Sequence, residues 1–132
     1  MNFVSIRVIT DDVARLVAFY EQVTGVTAAW STPDFAELTT PACTLAIAST
    51  RTVALFGTGS ARPAANQSVI TEFRVADVDA EYDRLAPLDC EFVQKPTTMS
   101  WGNRSLLFRD PDGNLINFFT PVTPEALRRQ ER

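Results

Sequence analysis

From Phe3 to Ile9 polar and β-branched residues alternate, a period of two that predicts a strand over 3–9. Thr10-Asp11-Asp12 then offers side-chain oxygens of the kind that cap a helix. Val13, Leu16, Val17, Tyr20 and Val23 recur three and four residues apart, so a helix with one buried face is predicted over 12–24, closed by Gly25. Strands over 26–31, 34–40 and 43–49 follow. Thr32-Pro33 and Pro41-Ala42 separate them, because proline cannot donate to a sheet ladder. Residues 57–67 hold small residues and a proline without periodicity and read as an exposed connection.

After that connection the pattern begins again. A strand is predicted over 68–75, a helix from Asp77 to Leu88, and strands over 90–96, 102–109 and 114–120. Asp110-Pro111-Asp112-Gly113 is a turn between the last two strands, with proline fixing φ and Asp-Gly tolerating positive φ. Laid on each other, Val8, Thr10, Asp12 and Val13 fall on Phe73, Val75, Asp77 and Val78, an internal repeat at the level of pattern. The fold class is therefore α+β, two βαβββ modules: about 1–56 and about 68–121, joined by a linker at about 57–67. Residues 122–132, with Pro124-Glu125 at the start and arginines at the end, suit a short terminal helix.

Composition narrows the function more than the fold. With 132 residues, 45% of them apolar and 21% charged, the chain is an ordinary folded domain. Net charge is −4 and the arginines are scattered, so there is no basic stripe for nucleic acid. No run of apolar residues is long enough to span a bilayer, and Met1–Arg7 lacks the basic and apolar regions of a secretory leader; a cytoplasmic protein with no membrane partner is expected. Cys43 and Cys90 have no CxxC spacing and are expected as reduced, partly buried thiols. The chain contains no histidine, which removes the usual general base and the commonest transition-metal ligand.

Several motifs in this order carry a resemblance: Thr10-Asp11-Asp12, Phe19-Tyr20 with Gly25, Val75-Ala76-Asp77-Val78-Asp79, and Phe108-Arg109-Asp110-Pro111-Asp112-Gly113-Asn114. Together they resemble the vicinal-oxygen-chelate superfamily, which includes glyoxalase I, extradiol dioxygenases, fosfomycin-resistance enzymes and bleomycin-binding proteins. The resemblance implies that each βαβββ module curls its mixed sheet into half of a cleft, with metal ligands on the first and last strands of each module. Carried onto this chain, the four ligand positions are Ser5, Ile47, Ile70 and Asn117. None is a thiolate, imidazole or carboxylate, so no metal and no cofactor are expected.

The expected inward face carries Phe3, Ser5, Arg7 and Ile9, then Ile70, Glu72 and Arg74, then Leu115, Asn117 and Phe119. Arg7 and Glu72 occupy equivalent places in the two modules, and they either pair where a metal would bring charge or remain solvated at the cleft mouth. Trp30 and Trp101 either offer flat surfaces to a planar ligand or pack at an interface. Trp101-Gly102-Asn103-Arg104 is the stronger ligand-facing candidate, with Arg104 fixing orientation. Asp77, Asp79, Glu81 and Asp83 read as an acidic helix start without chemistry.

The function expected from this reading is metal-independent binding of a planar or amphiphilic small molecule, such as an antibiotic or toxic metabolite, by a homodimer. The alternative is a lyase, isomerase or dioxygenase of the same fold, with an atypical metal site or Glu72 as base. An interaction domain whose cleft is filled by its own side chains is a third reading.

Overall fold

The computed structural model describes residues 1–131. The chain forms two compact units, which divide between Asn66 and Gln67.

The first unit holds β1 (Ser5–Thr10), α1 (Val13–Thr24), β2 (Ala29–Thr32), β3 (Phe35–Thr39), β4 (Thr44–Ser49) and α2 (Thr50–Val53). Its sheet runs β1-β4-β3-β2, with β1 parallel to β4 and the other pairs antiparallel. α1 begins where Asp12 accepts a hydrogen bond from the Arg15 N–H, and ends at Gly25, whose φ of 74° is left-handed. Val13, Leu16, Val17, Tyr20 and Val23 are its buried residues. They pack on the face of the sheet that carries Val8, Ala36, Leu38, Leu45 and Ile47, as the register requires. The expected strand over 26–31 forms later, at Ala29–Thr32, and the single turn of α2 is an addition to the predicted elements.

The second unit repeats the plan with β5 (Ile70–Arg74), α3 (Val78–Leu85), a 3-10 turn at Ala86–Leu88, β6 (Glu91–Thr98), β7 (Asn103–Arg109), β8 (Leu115–Pro121) and α4 (Pro124–Gln130). Its sheet runs β5-β8-β7-β6, with β5 parallel to β8 and the remaining pairs antiparallel. Pro96 lies in β6, which tolerates it because β6 is an edge strand with a register shift between Gln94 and Thr97. An edge-to-face aromatic chain binds the helix-facing side: Phe73 to Phe118 at 5.6 Å, Phe118 to Phe108 at 5.0 Å, and Tyr82 of α3 to Phe92 at 5.0 Å. Arg132, the last residue of the expected terminal helix, lies outside the described residues.

The turn from Asp110 to Asn114 is structural. Asp110 is buried and accepts from the Asp112 N–H, the Asn114 N–H and the Asn114 amide at 2.8 to 2.9 Å, while Gly113 takes a φ of 84°. Cys43 and Cys90 are free and half-buried, and burial pushes the Cys90 thiol above its ordinary range. Among the described residues no helix is long and apolar enough to cross a membrane.

Candidate functional site

Each sheet has one face covered by its own helix and one face turned away from it, and strand alternation decides which residues occupy which. In the first unit Ser5, Arg7 and Ile9 pair with Thr44, Ala46 and Ala48, which in turn pair with Thr39, Glu37 and Phe35. These residues form the face turned away from α1, the open face, although Ala46 and Ala48 at its centre are buried. The Arg7 guanidinium lies over two rings there, 4.9 Å from the Phe35 centroid and 5.3 Å from that of Phe56. Backbone bonds from the Phe56 and Gly57 N–H groups to the Val53 carbonyl hold Phe56 just past α2. Stacking on two aromatic faces favours the cation without neutralising its charge.

Ile47 is a correction. It pairs with Val8 and Ala36, faces α1 and is fully buried, so it belongs to the core. The register puts Ala46 in the place assigned to it. The slip arises because Leu45, Ala46, Ile47 and Ala48 are all buried, so β4 has no polar alternation to mark its faces.

In the second unit the open face carries Ile70, Glu72 and Arg74 on β5, paired with Leu115, Asn117 and Phe119 on β8, and then Arg109, Leu107 and Ser105 on β7. The faces expected from the sequence are the observed ones for β5 and β8. The Asn117 amide nitrogen donates to Glu72 Oε2 at 2.8 Å. Asn117 is 8% exposed, and its Oδ1 is buried with no hydrogen-bond partner among the described residues. Leaving a buried acceptor unmade costs about 1–3 kcal/mol. Glu72 and Arg74 are exposed. Arg74 also lines a cavity of about 440 Å³ with Val75, Ala76, Thr120, Pro121 and Leu127. Thr120 is already engaged, donating to the Val75 carbonyl and accepting from the Val78 N–H.

Arg104 is a second correction. It pairs with Thr98 and Thr120 on the helix-facing side, and its Nε and Nη2 donate to Asp79 at 2.8 and 3.0 Å. The Arg104 guanidinium beside it holds the Asp79 carboxyl below the usual carboxylate range, and Asp79 raises Arg104 in turn. Arg104 therefore ties α3 to its sheet rather than facing the open side. The Arg51 guanidinium depresses Asp34 in the same way in the first unit.

Trp30 pairs with Ala36, which places it on the helix side of its sheet at the β2 edge, where it is 46% exposed. Trp101 sits in the turn before β7, 55% exposed, and its carbonyl accepts from Arg129. Within the first unit Trp30 does not share a face with Arg7 by register, and within the second Trp101 lies outside the ladder that carries Glu72. Arg7 and Glu72 belong to different units, and each has company within its own.

The metal that the resemblance implies can be tested against these positions. Ser5 and Ala46 in the first unit, and Ile70 and Asn117 in the second, offer a hydroxyl, two alkyl groups and an amide whose nitrogen faces Glu72. Among the described residues no group of three or more His, Cys, Asp and Glu side chains could hold a metal ion. The donor set does not fit a divalent cation.

Comparison with known proteins agrees with this architecture. The family model described as Glyoxalase/Bleomycin resistance protein/Dioxygenase superfamily matches residues 2–118. The uncharacterized protein YraH of Bacillus subtilis (strain 168) is 29% identical over 125 residues, 90% of this chain and 98% of that protein. A glyoxalase/bleomycin resistance protein/dioxygenase from Nocardioides superposes with a TM-score of 0.76 at 22% identity, covering 94% of this chain and 85% of the other. A glyoxalase/bleomycin resistance protein/dioxygenase family enzyme from Burkholderia phytofirmans PsJN gives 0.79 at 18% identity, covering 89% and 97%. A protein of unknown function from Agrobacterium tumefaciens str. C58 gives 0.78 at 26% identity, covering 91% and 94%.

Proposed function

Because the chain belongs to the glyoxalase/bleomycin resistance protein/dioxygenase superfamily, we propose that it uses the open faces of its sheets to bind a small amphiphilic organic molecule without a metal. One observation carries this reading: Asn117 stands at one of the metal-ligand positions that the resemblance implies, and it spends its amide on Glu72. Polar groups stand among apolar ones on these faces, as Arg7 on Phe35 and Phe56 and as Glu72 on Asn117, which suits orientation of an amphiphilic ligand by a few hydrogen bonds. The reading includes a cytoplasmic homodimer that sequesters an antibiotic or toxic metabolite. Free Cys43 and Cys90 suit a reducing compartment.

The test is elemental analysis of the tag-free protein after incubation with zinc, manganese or ferrous iron and desalting, alongside a thermal-shift screen of amphiphilic compounds. Binding of compounds by protein that retains no metal is the expected result. Near-stoichiometric metal overturns the reading.

The hydrogen bond from Asn117 also favours a second reading, because it orients the Glu72 carboxylate as a proton acceptor needs to be oriented. In that case the chain is a lyase or isomerase with Glu72 as base, and Glu72→Gln abolishes turnover while leaving binding intact. A Glu72→Gln enzyme with unchanged turnover removes it.

A further inference from the structure

Two opposite charges lie side by side on the open face of the second unit. Glu72 and Arg74 are alternate residues of β5, so their side chains leave the same face roughly 7 Å apart along the strand. Both are exposed, and neither makes an ion pair with a described residue. The partner of Glu72 is an amide, which fixes one carboxylate oxygen without cancelling its charge. An arginine or lysine at position 117 would have neutralised it. Asn117 does this while its own Oδ1 remains buried and unpaired, an arrangement that stability alone does not favour.

Resting on the binding reading above, we propose that this face takes a zwitterion of the amino-acid type: an ammonium on Glu72, a carboxylate on Arg74 and an apolar body against the neighbouring cavity wall. Each charged end meets an opposite charge, and on Glu72 that charge is held in place by Asn117. A ligand with one charge leaves either Glu72 or Arg74 facing a like or an absent group, and a cation alone is repelled by Arg74. The cavity beside Arg74 supplies apolar surface from Val75, Ala76, Pro121 and Leu127. Asn117 acts here as a positioning residue, through Glu72.

Four probes sharing one phenyl-alkyl body separate the contributions: L-phenylalanine, 2-phenylethylamine, 3-phenylpropanoate and 2-phenylethanol, titrated calorimetrically into the full chain at low salt. L-phenylalanine binds at least about tenfold more tightly than either singly charged probe, since each end gains a charge-assisted hydrogen bond. Glu72→Gln removes its advantage over 3-phenylpropanoate, and Arg74→Gln removes its advantage over 2-phenylethylamine. Both sites are exposed, so both variants are expected to fold, with circular dichroism as the check.

Asn117→Val weakens L-phenylalanine binding while raising the melting temperature, two shifts that a merely structural residue does not produce together. Equal affinity for all four probes, or tight binding of 2-phenylethanol alone, overturns the zwitterion and leaves metal-independent binding standing. So does an L-phenylalanine affinity unmoved by Glu72→Gln. Binding of none of the probes also overturns it, whereas retained metal in the elemental analysis overturns the reading beneath it.

Discussion

Replacing Asn117 by valine should stabilise the protein, although Asn117 is buried and hydrogen-bonded. The substitution deletes the unpaired Oδ1, whose enclosure costs about 1–3 kcal/mol. It also deletes the bond from Nδ2 to Glu72. Glu72 is exposed and turns to water, so that loss is about 1 kcal/mol or less. Valine is one heavy atom smaller than asparagine and β-branched, so it neither overpacks the site nor resists the extended backbone of β8. The balance is a gain of about 1 kcal/mol, which in a chain of this size raises Tm by roughly 3–5 °C. Scanning calorimetry and urea unfolding of both proteins measure it. A Tm that falls by 3 °C or more would refute the reasoning, because it would mean that the Asn117 oxygen has a donor in solution. Asn117→Asp serves as the opposite control. It sets a second carboxylate beside Glu72, so stability drops at neutral pH and returns as the pair gains a proton on acidification.

Three further outcomes follow from the geometry. Gly102→Ala costs about 3 kcal/mol by urea unfolding: alanine resists the φ of 92°, and its Cβ would overlap Thr123 Oγ1, which caps α4 by accepting from the Ala126 N–H. A loss under about 1 kcal/mol would show that the turn before β7 rearranges freely. Asp34 and Asp79 both have carboxyls lowered by their arginines, so their contributions are present above the unfolded carboxylate range and disappear as pH falls below about 4. Arg104→Ala should therefore flatten the acid limb of the stability curve while leaving ligand affinity unchanged, and a lost affinity would return Arg104 to the binding face. Cys90, whose thiol is pushed up by burial, should react with iodoacetamide more slowly than glutathione at neutral pH, with its rate rising only in alkaline buffer; rapid labelling at pH 7 would contradict that environment.

Most of the fold is legible in the sequence because its signals are local and come twice. Asp12 and Asp77 each cap a helix as the sequence pattern implies, Gly25 closes α1 in the left-handed region, and Asp110 organises its turn through its own carboxylate. The faces of β1 and β5 are legible too, since the charges of Arg7, Glu72 and Arg74 mark one side and Ile6, Val8 and Phe73 the other, and the ladder from β5 carries that parity to β8. The candidate site is less completely written there, for reasons that differ between residues. β4 is buried on both faces and carries no marker of parity, so nothing in its letters distinguishes Ile47, a core residue, from Ala46, which holds the open-face place. Trp101-Gly102-Asn103-Arg104 reads as a ligand-facing segment at the start of the strand expected over 102–109, but β7 begins at Asn103, and from there alternation sends Arg104 to the helix side, toward Asp79.

The hydrogen bond between Glu72 and Asn117 has no sequence signal at all, although both residues are expected on the same face. Their separation in sequence hides it, and only the parallel β5–β8 register brings them opposite each other. The same register explains why the two modules diverge in chemistry without diverging in fold. Arg7 opposite Ala46 is the structural counterpart of Glu72 opposite Asn117. Alanine leaves Arg7 room to settle on Phe35 and Phe56, whereas asparagine grips Glu72 from across the ladder. Backbone pairing is indifferent to these side chains, so the repeat keeps its sheets while each open face acquires its own charge and its own means of orienting it. A pattern of apolar and polar letters registers the first fact and is blind to the second, because both faces present one charge at the same place in the alternation.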